Sequence, residues 1–518
     1  MKNLDILTSL HLKIARKINS FLKGGLGFLV FIGVTYFLTV AITISGVLLL
    51  NFFFNEKGIK ENFGLVLFLF VILAIVPTYS GIKAVAKSRM IFFKKAMEAK
   101  NSTFGKARFA EGFEIKETGL LGDGVVFGKF EKKLVTKPPS IEGHALIVGG
   151  TGSGKTRGVI IPTLLKWPGA VIIMDIKGEL SRITKDRRSL LGDVFIFDSE
   201  GGGDCYDPIA LCNTIDQAQD LARTLIPVPE NGDPFWCEAA QAILAAFAYE
   251  GSVYGYKLSD IAEKLCTTPI TELIAHCREH ELRHVRLLAS ITYDTPEKTL
   301  GSIMGTLKSK LITIATDDNI RKATRRSDWT PETLETGATI YLKVAEHLLD
   351  QYKDIWTIIF NQCLKYLSKR EDRKDPPILI GIDELPRLSK IQGLVNALAT
   401  LRSRNVHILG VIQSMAQLDE IYGKDERKII ADNCRFKLVL GASDPDTQKY
   451  FSELAGQRTI LAKGTTYGSG LVPNISRNEQ GVPLIRPEEW ANLEKSILFA
   501  PKLQPVPIDL AFWDLEKL

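Results

Sequence analysis

The sequence predicts an α/β protein in which a mostly parallel sheet is covered by helices, interrupted by an all-helical insertion and preceded by a two-helix transmembrane hairpin. Three observations predict it. Two long stretches near the N-terminus carry no charge. From residue 144 onward, short apolar runs alternate with helix-compatible stretches, the pattern of strands joined by crossover helices. Between about 211 and 330 the strand signals nearly vanish. The expected division is therefore a membrane hairpin at 1–82, a juxtamembrane connector at 83–140, an α/β domain in two parts at 141–210 and 331–518, and an inserted helical domain at 211–330.

The hairpin comes first. No charged residue stands between Gly24 and Asn55 or between Asn62 and Ile82. A bilayer core needs about 20 apolar residues of helix, so both stretches are long enough to span. Lys2, Lys13, Arg16, Lys17 and Lys23 precede the first, and Lys83, Lys87, Arg89, Lys94 and Lys95 follow the second. Basic flanks on both outer sides put both chain ends in the cytoplasm. A signal peptide has a shorter apolar region and no second span after it.

The connector carries turn signals, including Gly119, Gly122, Gly124, Gly128 and Pro138-Pro139. The sheet follows. Its candidate strands are Ala145–Val148, Ala170–Met174, Val194–Phe197, Ala338–Val344, Ile378–Ile382, Val406–Ile412, Phe436–Leu440 and Ile497–Ala500. In the insertion, Trp236–Tyr249, Leu258–Leu265 and Ile303–Ala315 read as helices. Net charge is +6, a balance that suits nucleic acid or anionic lipid without requiring either. The seven cysteines are scattered and include no C-x-x-C pair, which argues against a disulfide framework and reads as reduced cytosolic thiols.

The chemistry starts after the first strand of the α/β pattern. Gly149-Gly150-Thr151-Gly152-Ser153-Gly154-Lys155-Thr156 fits G-x-x-x-x-G-K-[ST] in a strand–loop–helix setting. Such a loop closes its backbone N–H groups around phosphates. Lys155 reaches the β- and γ-phosphates of ATP, and the Thr156 hydroxyl helps to hold Mg²⁺. The apolar run Ile378–Ile382 ends in Asp383 and Glu384. There Asp383 is expected to hold Mg²⁺ through its water shell, and Glu384 to orient and polarise the attacking water. Gln413, at the end of the next strand, is placed to touch the γ-phosphate or that water. Upstream, Arg402 and Arg404 each offer a planar, permanently charged fork suited to stabilising phosphate as an arginine finger. The run Asp175-Ile176-Lys177-Gly178-Glu179 ends a strand and belongs beside the ligand crevice without a fixed role. His276, His280 and His284, spaced for one helix face, together with Cys277 form a candidate metal cluster or an exposed polar face.

The set GGTGSGKT, MDIKGE, ILIGIDELPRL and GVIQSMAQL, in this order, resembles the TraG/VirD coupling proteins of type IV secretion systems. Gly105-Lys106-Ala107-Arg108-Phe109-Ala110 and the two-helix anchor are similar to that family's juxtamembrane region. The resemblance implies a RecA-like P-loop ATPase in the bacterial inner membrane, assembled as a homo-hexameric ring around a channel. It implies delivery of relaxase-bound single-stranded DNA, protein effectors or both to secretion-channel components and a channel ATPase. It also implies that Arg402, eleven residues before Gln413, is the finger. Asp207-Pro208 departs from the family's Asn-Pro. Two competing readings are an ATP-switched receptor or tether without motor activity, and a DNA pump of the FtsK type.

Overall fold

The computed structural model describes residues 103–229, 233–388, 390, 391, 393–466 and 474–516. The expected spans at 24–55 and 62–82 lie outside the described residues, among which no helix is long and apolar enough to cross a membrane. The chain divides into two units, one of residues 1–101 and 460–479 and one of residues 102–459 and 480–518. The second unit carries everything below except the ribbon of strands β10 (Gln457–Thr466) and β11 (Asn474–Pro483), whose residues are shared between the two.

A nine-stranded sheet runs in the order β13-β12-β9-β3-β8-β7-β4-β6-β5. Seven of its strands are parallel: β3 (Ala145–Val148), β4 (Ala170–Ile176), β5 (Val194–Asp198), β6 (Thr339–Val344), β7 (Ile378–Ile382), β8 (Val406–Ile412) and β9 (Phe436–Val439). At the β9 edge, β12 (Ser496–Phe499) and β13 (Val506–Ile508) add in antiparallel sense. Side chains alternate across a strand, and the core follows that period of two. Leu146, Val148, Ile172, Met174, Ile380 and Ile382 point to one face, whereas Ala145, Ile147, Val171, Ile173 and Leu379 point to the other. Strands buried on both faces read as unbroken apolar runs, which is why these were visible in the sequence.

The segment expected as a connector is folded from residue 103 onward. A short helix, α1 (Gly112–Glu117), precedes strands β1 (Val125–Phe130) and β2 (Lys133–Lys137), which pair antiparallel. Val125, Phe127 and Val135 are buried in the second core beside Ile147, Ile173 and Leu438. The helix after the P-loop starts with a widened π-type turn at Thr156–Ile160 and continues as α2 (Ile161–Lys166). Helix α3 (Glu179–Arg188) links β4 to β5.

Between β5 and β6 every described regular element is helical: α4 (Ile215–Leu225), α5 (Phe235–Tyr254), α6 (Leu258–Thr267), α7 (Ile270–Glu279), α8 (Arg283–Ala289), α9 (Glu297–Thr316) and α10 (Asp318–Ala323), with short 3₁₀ turns. Local signals set their ends. Thr214 and Gln217 form a capping box at α4, and Gly255 closes α5 with φ of 82°. In α9, Leu300, Ile303, Met304, Leu307, Leu311 and Ile314 fall on one face and are buried. These helices share a continuous apolar core with one face of the sheet. The remaining helices are α11 (Leu349–Leu367), α12 (Leu394–Thr400), α13 (Met415–Asn433, broken at Gly423) and α14 (Pro445–Ala455).

Candidate functional site

Parallel strands aligned in register bring their carboxyl ends to one edge. Val148 pairs with Ile412 and Ile382 with Gly410, so the P-loop, Asp383-Glu384 and Gln413 emerge side by side. β8 lies between the P-loop strand and the acidic strand. Gln413 therefore stands between the phosphate cradle and the carboxylates. Gly149 N–H donates to the Ile412 carbonyl at 3.1 Å and ties the loop to that strand.

Lys155 is buried at the head of the loop and donates to the carbonyls of Gly149 (2.7 Å) and Gly150 (2.9 Å). Burial lowers its pKa, and the charges of Glu384 and Asp383 oppose the shift. Ser153 Oγ is buried in the loop without a hydrogen-bond partner, a donor free to meet a phosphate oxygen. Thr156 opens the helix, and Asp383 ends β7. Burial, and then the neighbouring Glu384 charge, push Asp383 up to about 6, with Lys155 acting against them. Two hard oxygen donors beside a phosphate cradle fit Mg²⁺.

Glu384 adopts a left-handed backbone conformation, φ 65° and ψ 53°. For a residue with a Cβ this costs about 1–3 kcal/mol and persists only where its surroundings hold it. Here the turn aims the carboxylate across to β8, where the Gln413 amide donates to both of its oxygens at 2.9 and 3.1 Å. Arg387 Nε lies 3.7 Å from the same carboxylate. Arg387 went unnoticed in the sequence, although a cation three residues after the acid was the available signal.

Arg402 and Arg404 occupy a 3₁₀ turn at the amino end of β8, the opposite end from Gln413. Six strand steps of about 3.3 Å put roughly 20 Å between the two ends, beyond the reach of an arginine side chain. The two arginines differ in commitment. Arg404 donates to the Arg370 carbonyl and accepts through its own carbonyl from Arg370 at 2.7 Å, which makes it a structural brace. Arg402 is half-exposed, and its nearest carboxylate is Glu142, at 3.9 Å. The His144 ring bridges the base of this turn. Its Nε2 meets the Leu398 carbonyl at 3.0 Å, and its Nδ1 accepts from the Ile408 N–H at 3.0 Å. Burial, and then the Lys137 charge, hold His144 down at about 3, so the ring stays neutral and can do both.

Several residues of undecided role now have structural ones. Asp175 is buried and caps α3, accepting from Leu180 N–H, Ser181 N–H and the Ser181 hydroxyl at 2.9, 2.9 and 2.6 Å. Lys177 pairs with Glu346. Asp207, buried, holds Lys257 at 2.8 Å and so ties the turn before the helical segment to the start of α6. The three histidines do not share a helix face. Helix α7 ends at Glu279, and His284 meets Tyr249 Oη instead. His276 and His280 do converge with Glu250 into a group of metal-ligand type, their Nε2 atoms 3.0 and 3.6 Å from its carboxylate. Two features oppose a metal. His280 Nδ1 accepts from Leu282 N–H, which leaves the ring proton on the Nε2 that would have to bind, and the Lys264 ammonium stands 3.7 Å from Glu250. The cluster reads as a satisfied buried carboxylate. All seven cysteines are free.

The family model described as type IV secretory system conjugative DNA transfer matches residues 93–514. Protein VirD4 of Rhizobium rhizogenes is 28% identical over 428 residues, covering 77% of this chain and 64% of that protein. The chain thus spans less than two thirds of that relative's length. The plasmid coupling protein TrwB, solved with the non-hydrolysable ATP analogue ADPNP, superposes with a TM-score of 0.64 at 19% identity, over 80% of this chain and 96% of that one. TrwB in complex with ADP and Mg²⁺ gives 0.63 at 18% identity with the same coverage. At these identities the likeness is one of fold.

Proposed function

Because the chain belongs to the type IV secretory system conjugative DNA transfer family, we propose that it is a coupling ATPase that hands DNA, with or without bound protein, to a secretion channel. The observation that carries the reading is the hydrogen bond from Gln413 to Glu384 beside the P-loop. A nucleotide switch needs a phosphate cradle. A hydrolase needs in addition a carboxylate aimed at a water, and a group that registers whether the γ-phosphate is present.

In this reading the P-loop N–H groups and Lys155 hold the triphosphate, and the Ser153 hydroxyl adds a donor. Thr156 and Asp383 hold Mg²⁺, which when bound offsets charge on the β- and γ-phosphates. Glu384 fixes the attacking water and draws its proton. Gln413, already bonded to Glu384, lies where it senses loss of the γ-phosphate. TrwB has been solved with ADPNP and with ADP and Mg²⁺, ligands that the same loop and acids would take here.

Arg402 acts in this scheme on the nucleotide of a neighbouring subunit. Its own P-loop is roughly 20 Å away along β8, and a ring of identical subunits brings one subunit's amino strand ends against the next subunit's site. The ring is a homo-hexamer held in the bacterial inner membrane by spans within residues 1–82, with both chain ends cytoplasmic. The uncharged stretches and their basic flanks support that anchor. Cargo is relaxase-bound single-stranded DNA, protein effectors or both, received alongside channel components and a channel ATPase.

The test is steady-state ATP turnover by the purified full chain, with and without single-stranded DNA. Turnover that DNA stimulates and that Lys155→Ala removes is expected. ATP binding without turnover under any cargo would replace the motor by a receptor or tether.

A further inference from the structure

We propose that Arg157 and Phe512 form the shelf on which the base of the bound nucleotide stacks, and that Asp514 holds this shelf in place. The inference rests on the P-loop being a nucleoside triphosphate site. The sheet order gives the direction. Gln413 and Glu384 stand on the β8–β7 side of the P-loop strand, and β9, β12 and β13 stand on the other. A triphosphate with its γ-phosphate toward Glu384 therefore runs its α-phosphate, sugar and base across the start of the following helix, toward the β9–β13 side.

The C-terminal segment after β13 arrives there. A methyl group on Gly154 would meet Phe512 Cε1 at 3.1 Å and Leu510 Cδ1 at 3.2 Å, and one on Gly158 would meet Leu510 Cβ at 3.1 Å. Gly154 and Gly158 thus admit the segment against the loop. Gly154, at φ of 89°, also needs the left-handed freedom of glycine. Trp513 N–H donates to the Arg157 carbonyl at 3.2 Å and fastens the tail to the residue after Thr156.

The Arg157 guanidinium lies over the Phe512 ring, 4.6 Å from its centroid. Asp514 grips it by two bonds, Nε to Oδ1 at 2.8 Å and Nη2 to Oδ2 at 2.6 Å. The side chain lies over Phe512 and remains 48% exposed, which leaves part of the guanidinium open to a ligand. As a surface ion pair this arrangement adds little to folding stability. What it supplies is a flat cation of fixed orientation, one residue beyond the phosphate loop. Planar bases stack on planar guanidiniums, and a lysine cannot replace that surface. Stacking reads area more than hydrogen-bond pattern, so the shelf prefers purines over pyrimidines and separates adenine from guanine poorly.

The experiment uses the purified full chain and three probes: ATP, CTP and inorganic tripolyphosphate, which has no base. Arg157→Lys keeps the charge and loses the plane. It should raise KM for ATP about five- to twentyfold with kcat changed far less, shrink the preference for ATP over CTP, and leave tripolyphosphate affinity as it was. Asp514→Asn should move the same quantities by a smaller factor. An unchanged KM for ATP, or a loss of tripolyphosphate affinity equal to that for ATP, would overturn the shelf. Lys155→Ala should lose ATP and tripolyphosphate alike. Retention of both by that variant would overturn the P-loop reading itself and the shelf with it.

Discussion

The Gln413 side-chain amide bonds to both oxygens of Glu384, at 2.9 and 3.1 Å, across the gap from β8 to β7. Neither residue can turn without losing the other. On the proposed reading a γ-phosphate or its attacking water would compete for the same amide, so filling the site should break or lengthen this bond.

Glu384→Gln keeps the shape of the side chain and removes its charge. ATP should still bind, because Lys155 and Asp383 are untouched, whereas turnover should fall about 10²–10⁴-fold, the range for loss of a general base. Nucleotide titration beside steady-state turnover checks this. Loss of ATP binding equal to that of Asp383→Ala would show the two roles to be exchanged.

Gln413→Ala should retain ATP binding and lose about tenfold or more in turnover that depends on DNA. Among the described residues the Glu384 carboxylate then keeps Arg387 Nε, at 3.7 Å, as its ion-pair partner. Turnover measured against DNA concentration separates the two effects. A uniform drop at every DNA concentration would make Gln413 a mere support for Glu384.

Arg402→Ala should be nearly inactive alone, since a finger can contribute roughly 10³–10⁵ in rate. Mixed with Lys155→Ala subunits it should regain part of that activity, because one border then has both an intact loop and an intact arginine. No recovery in rings shown to be mixed would reject action between subunits. Arg404→Ala should differ in kind: it removes a brace on the Arg370 carbonyl, so thermal stability falls before turnover does.

Lys137 gives a pH prediction. It is buried, has no carboxylate partner among the described residues and donates its ammonium to His407 Nδ1 at 2.8 Å, and burial pushes it down to about 7 from 10.5. The unfolded chain therefore holds this proton between pH 7 and 10.5 while the folded chain gives it up. Folding stability gains from this residue as pH rises through that window, by about 1.4 kcal/mol per unit. Lys137→Met should remove that slope and raise stability at pH 7, as read from denaturant unfolding at several pH values. An unchanged slope would show that the folded lysine keeps its ordinary pKa.

The parallel sheet was the most legible part of the chain. All eight apolar runs are strands, because strands covered on both faces cannot disguise themselves with polar alternation. β1, β2, β10, β11 and β13 escaped notice for the opposite reason. Lys133-Leu134-Val135-Thr136-Lys137 ends in a buried lysine, and β13 is three residues long. At the site, a spacing motif finds groups held by one loop, and so it found the P-loop residues. Asp383, Glu384 and Gln413 were legible from their places at the ends of apolar runs, whereas partners that belong to no motif gave no such signal. The pairing of Arg157 with Asp514 spans 357 residues, and that of His144 with Ile408 spans 264. The histidine spacing misled because periodicity assumes an unbroken helix, and the chain leaves helix at His280.

The place of β3 between β8 and β9 has a consequence for synthesis. The P-loop strand is made early, yet its partner on one side ends at Ile412 and on the other at Val439, after the whole helical segment. Val148 thus waits roughly 290 residues for Val439, about 15–60 s at ordinary bacterial elongation rates. Until β8 is complete at Ile412, roughly 260 residues after Val148, the four apolar residues Ala145 to Val148 have no parallel partner to join. An apolar strand left unpaired for so long is an aggregation hazard during synthesis, which the helices that fold ahead of its partners can reduce by covering it.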